Sequence, residues 1–292
     1  MSQEAKQKLS RLQKLKISAK TKRRGTHKGG RMASKFGSSL EFSDFRVYQP
    51  GDDVRQIDWN VFGRTQKHYI KRFLDEQELT ITIFLDSTQS MQAIDSKWQR
   101  AKEIAASLSY ITLSNEDRLS FTPVSENKQD SINRKGTIYG KRVFFEILQI
   151  SKQSTSGAYT ESIQKNNLKR NQVSILITDG LEELNRFEQL FRVLGAAKQE
   201  VKFIQLLSRQ EITPDYTGDV KLIDSELQTF VNVSMNERIL ENYQKRLTNH
   251  NHELEALCKS FGFSYLLTVD DHDLNQFFFH ECTTRRVVEL LR

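Results

Sequence analysis

The stretch TITIFLDSTQSMQAI, residues 80–94, decides the fold because an apolar run typical of a buried strand ends there in a polar loop. Asp86, Thr88 and Ser90 follow the run at alternate positions, an arrangement in which one carboxylate and two hydroxyls can face a single point. Such oxygens suit a hard cation such as Mg2+. A helix cap is the alternative interpretation, because Asp, Ser and Thr also satisfy free N–H groups at helix starts.

From residue 79 onward, short apolar strands alternate with longer amphipathic helices. This alternation is typical of a parallel sheet covered by helices on both faces. Strands are predicted at 79–85, 118–124, 172–180, 201–207 and 263–269, with a short two-stranded excursion at 219–224 and 227–233. Helices are predicted around 98–111, 141–151, 161–169 and 186–198, then from a capping box at Ser234 and Glu237 to just before Gly262, and finally over about 273–292. The fold class is therefore a doubly wound, mostly parallel α/β sheet.

Composition narrows the class of protein. The chain has 292 residues, of which 37% are hydrophobic and 28% charged, values ordinary for a globular protein with a polar surface. It contains neither an apolar run of membrane-spanning length nor the apolar segment of a signal peptide, so a cytoplasmic protein is expected. The two cysteines, Cys258 and Cys282, form no metal-binding cluster and are expected to be buried reduced thiols.

The positive charge is concentrated near the N-terminus. Residues 1–72 hold 18 Lys and Arg against 6 Asp and Glu, whereas the remaining residues hold 26 against 31. Most of the excess lies in residues 14–35, which predicts a basic flexible arm over 1–35. Such an arm either binds an anionic partner, such as nucleic acid, a membrane or an acidic protein, or is a solvated linker; the linker is the favoured interpretation.

Further oxygen ligands are predicted at the same edge of the sheet. Ligands of open α/β sheets bind outside the carboxyl ends of the strands, where Asp86 and Asp179 both lie. The segment STSGAYTES adds Thr160 in a glycine-containing loop that starts a helix. The candidate ligands Asp86, Thr88, Ser90, Thr160 and Asp179 offer only oxygen, which suits Mg2+ or Mn2+ and does not suit Zn2+.

These residues resemble the metal-ion-dependent adhesion site of von Willebrand factor A domains. The DxSxS loop of that family matches 86–90 with Thr88 in place of the middle Ser, its later Thr matches Thr160, and its TDG matches 178–180. The resemblance implies that Thr88, Ser90 and Thr160 touch the metal while Asp86 and Asp179 hold it largely through water. It also implies an open coordination position for a carboxylate of a protein partner, and generally no catalysis.

A second resemblance covers the chain from about residue 36 to the C-terminus. The segment SLEFSDFRVYQPGDDVRQIDWNVFGRTQKHYIKRF, residues 39–73, is similar to the signature of the bacterial family called domain of unknown function 58. In that family the signature precedes a von Willebrand factor A core. This implies a family-specific β-extension at 36–78, a von Willebrand factor A-like domain at 79–292, and a MoxR-type AAA+ ATPase or its client as partner.

The same segment concentrates opposite charges around an aromatic residue. Pro50 and Gly51 predict a turn, and the charged residues Asp52, Asp53, Arg55, Asp58 and Arg64 surround Trp59 in the sequence. Two interpretations stay open: a paired network that clamps the β-extension to the core, which is favoured, or an interaction surface.

Several enzyme classes lack their motifs. An aspartyl phosphotransferase needs a second carboxylate two residues after Asp86, where this chain has Thr88, and no Walker-type nucleotide loop or nucleophile motif is present. His250 and His252 point to different faces of a predicted helix, which argues against a shared metal. We therefore predict a non-enzymatic, Mg2+-dependent protein-interaction module. The alternatives are an anion-binding protein that uses the basic arm and a Mg2+-dependent phosphohydrolase.

Overall fold

The computed structural model describes residues 3–19, 42–73, 79–125, 131–152, 157–165, 172–215, 218–223 and 230–291. The chain divides into two compact units. The large unit contains residues 1–20 and 79–292, and the small unit contains residues 21–78.

Strands and helices alternate through most of the described chain. The strands are β1 (Leu15–Ile17), β2 (Phe42–Val47), β3 (Tyr69–Phe73), β4 (Thr80–Asp86), β5 (Arg118–Val124), β6 (Ile132–Lys135), β7 (Val173–Thr178), β8 (Glu200–Leu207), β9 (Gly218–Ile223), β10 (Phe230–Met235), β11 (Ser264–Val269) and β12 (Val288–Leu290). The helices are α1 (Gln3–Leu12), α2 (Trp59–Thr65), α3 (Gln89–Ala93), α4 (Asp95–Ser114), α5 (Gly140–Leu148), α6 (Tyr159–Gln164), α7 (Leu184–Ala196), α8 (Arg209–Ile212), α9 (Glu237–Ser260), α10 (Leu274–Gln276) and α11 (Cys282–Thr284).

A six-stranded sheet forms the centre of the large unit, in the order β11-β8-β7-β4-β5-β6. Its strands are parallel except β6, which pairs antiparallel with β5 at one edge. β4 lies in the middle, and its residues after Thr80 are all buried, as expected for a strand covered on both faces. This arrangement brings the carboxyl ends of β4, β7, β8 and β11 to one edge of the sheet.

Helices cover both faces of this sheet. Alternate residues of β4 enter different apolar clusters: Ile83 packs with Trp98 and Ile104 of α4, whereas Phe84 packs with Phe187 of α7 and Leu254 of α9. The period of two along a strand explains this division. The doubly wound, mostly parallel α/β fold predicted from the sequence is therefore confirmed.

The N-terminal residues are part of the large unit. α1 and β1 contribute the buried side chains of Leu9, Leu12, Leu15 and Ile17, and β1 pairs antiparallel with β12 at the other end of the chain. The predicted flexible arm over residues 1–35 is therefore wrong for residues 3–17, because their apolar side chains lie in the core. The rest of that prediction, residues 20–35, falls outside the described residues.

The C-terminal segment differs from the predicted final helix. Helical structure begins with α10, continues through a π-helical turn at Phe277–Glu281 and ends with α11, after which the chain forms β12. Phe277 and Phe278 are buried in the same cluster as the N-terminal leucines. The predicted continuous helix over 273–292 is therefore wrong, because the segment is irregularly helical where its phenylalanines are buried and ends in a strand that pairs with β1.

The long helix α9 begins later than predicted. Ser234 lies in β10, and the side chain of Asn236 caps the helix by accepting a hydrogen bond from the Ile239 N–H. Of its side chains, only Leu254 and Cys258 are fully buried, and Tyr243 is exposed. The predicted sheet-packing stripe is therefore realised only in the last turns of the helix.

The small unit contains an antiparallel hairpin of β2 and β3, in which Val47 pairs with Tyr69. Between the strands lie a 3-10 turn at Val54–Gln56 and the helix α2. Ile57 and Ile70 are its buried apolar side chains among those described, and their backbones form an isolated bridge.

The two cysteines are buried, as the sequence predicts. Cys258 and Cys282 are free and buried, and burial raises the pKa of the Cys258 thiol to about 12. Both are therefore neutral thiols packed in the core. Within the described ranges, no helix combines the length and the apolar character needed to cross a membrane.

Candidate metal centre

The loop after β4 brings three predicted ligands together. The Asp86 Oδ1 atom accepts hydrogen bonds from the Thr88 N–H at 2.9 Å and from the Thr88 hydroxyl at 2.6 Å. The Thr88 and Ser90 hydroxyl oxygens are 3.1 Å apart. Asp86 and Thr88 are buried, and Ser90 is half-buried, so Ser90 lies on the solvent side of the group. Thr88 occupies the N-cap position of α3, as the helix-cap alternative predicts, but its side chain makes no capping hydrogen bond to that helix.

Asp86 carries a destabilised negative charge. Burial and the nearby Asp179 carboxylate raise the pKa of Asp86 to about 7, although hydrogen bonds from Thr178 and Thr88 oppose the shift. The Thr178 hydroxyl donates to Asp86 Oδ2 at 2.6 Å. Two buried carboxylates that repel one another provide a place where a cation is favourable.

Asp179 lies at the end of β7, in a loop fixed from several sides. Its Oδ1 atom accepts from the Leu181 N–H at 3.2 Å, and its backbone carbonyl accepts from the Gln205 amide at 2.8 Å. Gly180 has a φ of 68°, and a Cβ there would lie 2.9 Å from Leu254 Cδ2. Both the left-handed backbone and the close approach of α9 therefore require glycine at this position.

A buried lysine contacts Asp179. The Lys97 Nζ atom is 3.2 Å from Asp179 Oδ2 and 2.6 Å from Glu211 Oε1, and the lysine side chain is fully buried. Burial alone lowers the pKa of Lys97, but the charges of Asp179 and Glu211 outweigh it and raise the pKa above the ordinary value. Lys97 is therefore a charged ammonium inside the protein, next to a predicted metal ligand.

Thr160 is held by the carboxylate of Glu182, which is not among the residues predicted from the sequence. Its hydroxyl donates to Glu182 Oε2 at 2.6 Å, while Glu182 Oε1 accepts from the Tyr159 N–H at 2.5 Å and the Thr160 N–H at 3.3 Å. The Tyr159 hydroxyl donates to the Phe84 carbonyl at 3.0 Å, which ties the start of α6 to the end of β4. Thr160 therefore lies at the same edge of the sheet as the Asp86 loop.

The donor set fits a hard divalent cation. Thr88 donates its hydroxyl hydrogen to Asp86 and Thr160 donates its own to Glu182, which leaves the oxygen lone pairs of both hydroxyls available to a metal. The donors are carboxylate and hydroxyl oxygens, the preferred ligands of Mg2+. In the part of the chain that the structure describes, no group of three or more His, Cys, Asp or Glu side chains is placed to hold a metal ion. A metal at this edge would therefore depend on the hydroxyls.

Weak sequence signals exist for the two residues that were missed. Glu182 follows Gly180 by two positions, but the sequence has Glu183 beside it and does not distinguish the two. Lys97 lies in the first turn of α4, where the helix dipole disfavours a cation. An unfavourable local position of this kind indicates a tertiary partner, but it does not identify that partner.

The charged residues predicted to form one network in the small unit instead form separate contacts with nearby residues. Asp52 pairs with Arg46 at 2.6 Å, and the Asp53 side chain accepts from the Arg55 N–H at 3.0 Å. Asp58 accepts from two N–H groups in the first turn of α2 and pairs with Lys71 of β3 at 3.1 Å. These contacts fix turns and a helix start within the small unit, and a clamp between the units stays a prediction.

The aromatic residue of that cluster is on the surface. The Trp59 side chain is 61% exposed and contacts Phe62 and His68 edge-on. The rings of Phe62 and His68 stack with their centroids 4.4 Å apart. Arg64 lies exposed in the last turn of α2. Within the small unit, the charged residues near Trp59 in the sequence therefore do not cover its side chain.

The doubly wound sheet and the hydroxyl-and-carboxylate loop at its carboxyl edge give the large unit a von Willebrand factor A-like fold. The chain belongs to the family described as "Protein of unknown function DUF58", which matches residues 44–253.

Relatives and solved structures extend this comparison. The chain is 22% identical over 270 residues to the uncharacterized proteins Rv1480 of Mycobacterium tuberculosis and Mb1516 of Mycobacterium bovis, an alignment that covers 90% of this chain and 84% of each relative. BatB from Bacteroides thetaiotaomicron is 14% identical, with a TM-score of 0.37, over 71% of this chain and 98% of BatB. The SpRpn10 VWA domain is 10% identical, with a TM-score of 0.38, over 68% and 92%.

Proposed function

We propose that this chain is a non-enzymatic protein-interaction module in which a divalent cation, Mg2+ or Mn2+, joins the carboxyl edge of the large unit to a partner. The ligands are Asp86, Thr88, Ser90, Thr160 and Asp179. A von Willebrand factor A-like fold suits a protein-interaction role.

The observation that carries the proposal is the pairing of each buried hydroxyl with a carboxylate. Asp86 accepts the Thr88 hydrogen and Glu182 accepts the Thr160 hydrogen, so both oxygens keep lone pairs free for a cation. The unfavourable burial of Asp86 beside Asp179 supports the same conclusion, because a bound cation relieves it.

The proposed partner supplies a carboxylate. Mg2+ favours octahedral coordination. Three hydroxyls bind it directly and two carboxylates act largely through water, so one position stays open to water or to a protein ligand. Half-buried Ser90 marks the side from which that ligand would approach. By family resemblance, we propose a MoxR-type AAA+ ATPase or its client as the partner.

Calorimetric titration of the EDTA-treated, dialysed protein with Mn2+ tests the site. Asp86→Asn should abolish binding, and Ser90→Ala should weaken it. Asp270→Asn is the matched control, because Asp270 also follows a strand and is buried, yet it is held by the Ser96 hydroxyl and the Arg209 N–H. Unchanged Mn2+ binding in folded Asp86→Asn would remove the site assignment.

A further inference from the structure

Lys97 occupies a position that its own helix does not favour. It lies in the first turn of α4, where the positive end of the helix dipole repels a cation. Its side chain is fully buried, which costs free energy unless carboxylates compensate the charge. The two carboxylates that do so are Asp179 and Glu211. Lys97 is therefore stabilised by the carboxylates around the candidate site and not by its own helix.

We infer that Lys97 is a fixed counter-charge that weakens divalent-cation binding and makes tight binding depend on a carboxylate from the partner; this role rests on the proposed function. Its ammonium is 3.2 Å from Asp179 Oδ2 and shares that oxygen's negative charge. The ammonium repels a cation held near Asp179, and this repulsion is strong because little water separates the two charges. A partner carboxylate offsets that repulsion, so the cation and the partner favour each other's binding.

Contacts around Glu211 keep the ammonium in place. Glu211 Oε1 accepts from Lys97, and Glu211 Oε2 accepts from the Ser208 N–H at 2.7 Å as part of a capping box. The Glu211 carbonyl accepts from the Tyr243 hydroxyl of α9 at 2.8 Å. Because Glu211 is fixed by its own helix start and by α9, its ion pair with Lys97 holds the ammonium close to Asp179. The positive charge therefore stays beside the site when a metal binds.

The chain provides a matched control in Lys202. This lysine is also buried, and its Nζ atom contacts Glu200 Oε1 at 2.6 Å and the Arg286 carbonyl at 2.7 Å. It lies near the amino end of β8, five residues before the carboxyl end at Leu207. At about 3.3 Å per residue, this places it roughly 16 Å along the strand from the edge that carries the site. Lys202→Met removes a buried charge of the same kind at a much greater distance from Asp179, so it should affect cation binding there far less than Lys97→Met does.

The experiment measures the Mn2+ dissociation constant of the full chain without partner. Lys97→Met should bind Mn2+ about tenfold or more tightly than the wild type, since removal of one nearby positive charge in a low-dielectric site is worth at least that factor. Lys202→Met should match the wild type. If Lys97→Met does not fold, the double variant Lys97→Met with Glu211→Gln removes the buried pair together. It should still bind Mn2+ more tightly than the wild type, but by a smaller factor, because a negative charge is lost with the positive one.

Each outcome separates the role of Lys97 from the proposed function. If the wild type binds Mn2+ and the folded Lys97 variant binds no more tightly, the role of Lys97 is overturned while the metal site stands. If only the Lys97 variant binds, Lys97 is the suppressor that we infer, and the wild type should then bind Mn2+ only when a partner carboxylate is present. If neither binds, both the metal site and the role of Lys97 are rejected.

Discussion

Asp86→Asn should change the dependence of stability on pH in metal-free protein. In the folded state, burial and Asp179 raise the pKa of Asp86 to about 7 from an ordinary value of 3.8. Protonated Asp86 therefore favours the folded state. This stabilisation is fully present below about pH 4 and is lost as the pH rises through about 7.

The structure sets the size of the effect. The shift of the Asp86 pKa from 3.8 to about 7 corresponds to about 4 kcal/mol, at about 1.4 kcal/mol per pKa unit. Between pH 5 and pH 8 the wild type should lose about 3 kcal/mol of this contribution, and Asp86→Asn should lose none of it. Any cost of the altered hydrogen bond with Thr178 is present at both pH values, so it cancels in the comparison.

Urea unfolding in EDTA, followed by tryptophan fluorescence, measures this difference. The chain has two tryptophans, exposed Trp59 in the small unit and buried Trp98 in the large unit. A Trp59→Phe background therefore reports the large unit alone. Addition of Mg2+ should restore stability at pH 8 in the wild type but not in Asp86→Asn. An equal loss of stability with pH in both proteins would refute the reasoning about the Asp86 charge.

Two further predictions concern the N-terminal residues. Leu15→Ala removes a fully buried side chain from β1 and should lower the free energy of unfolding by about 2–5 kcal/mol, measured by urea unfolding; an effect below about 0.5 kcal/mol would mean that β1 is not part of the core. Replacement of Lys22, Arg23 and Arg24 with Gln should leave the Tm unchanged and reduce any retention on heparin at low salt, since phosphate-type contacts depend on charge. If the wild type is not retained at all, the anion-binding alternative is contradicted.

The central sheet was predictable because its strands are short runs of buried residues. β4 and β7 each read as a mostly apolar segment; β4 ends at Asp86, and Asp179 directly follows the end of β7. The structure places both strands where the pattern predicts them. By contrast, the pairing of β1 with β12 joins residues more than 270 positions apart, such as Leu15 and Leu290. No local pattern encodes such a pairing, and the high positive charge around β1 favoured a solvated arm instead.

In the candidate site, too, the local arrangement could be predicted from the sequence and the long-range contacts could not. The spacing of Asp86, Thr88 and Ser90 within one loop could be read directly, because neighbours in a loop are neighbours in space. Lys97 reaches the site from α4, and the role of Glu182 depends on how the start of α6 packs against the loop after β7. Such partners cannot be predicted from residue type alone.

The most direct test of the central claim is the affinity of the purified chain for a MoxR-type AAA+ ATPase, the proposed partner, measured with Mg2+ and with EDTA. We expect binding in Mg2+, loss of binding in EDTA, and loss in Asp86→Asn but not in the Asp270→Asn control. Thr160→Ala should weaken binding more than it lowers the Tm. Equal affinity in Mg2+ and in EDTA would contradict a cation-bridged contact and would leave the basic residues or the small unit as the recognition surface.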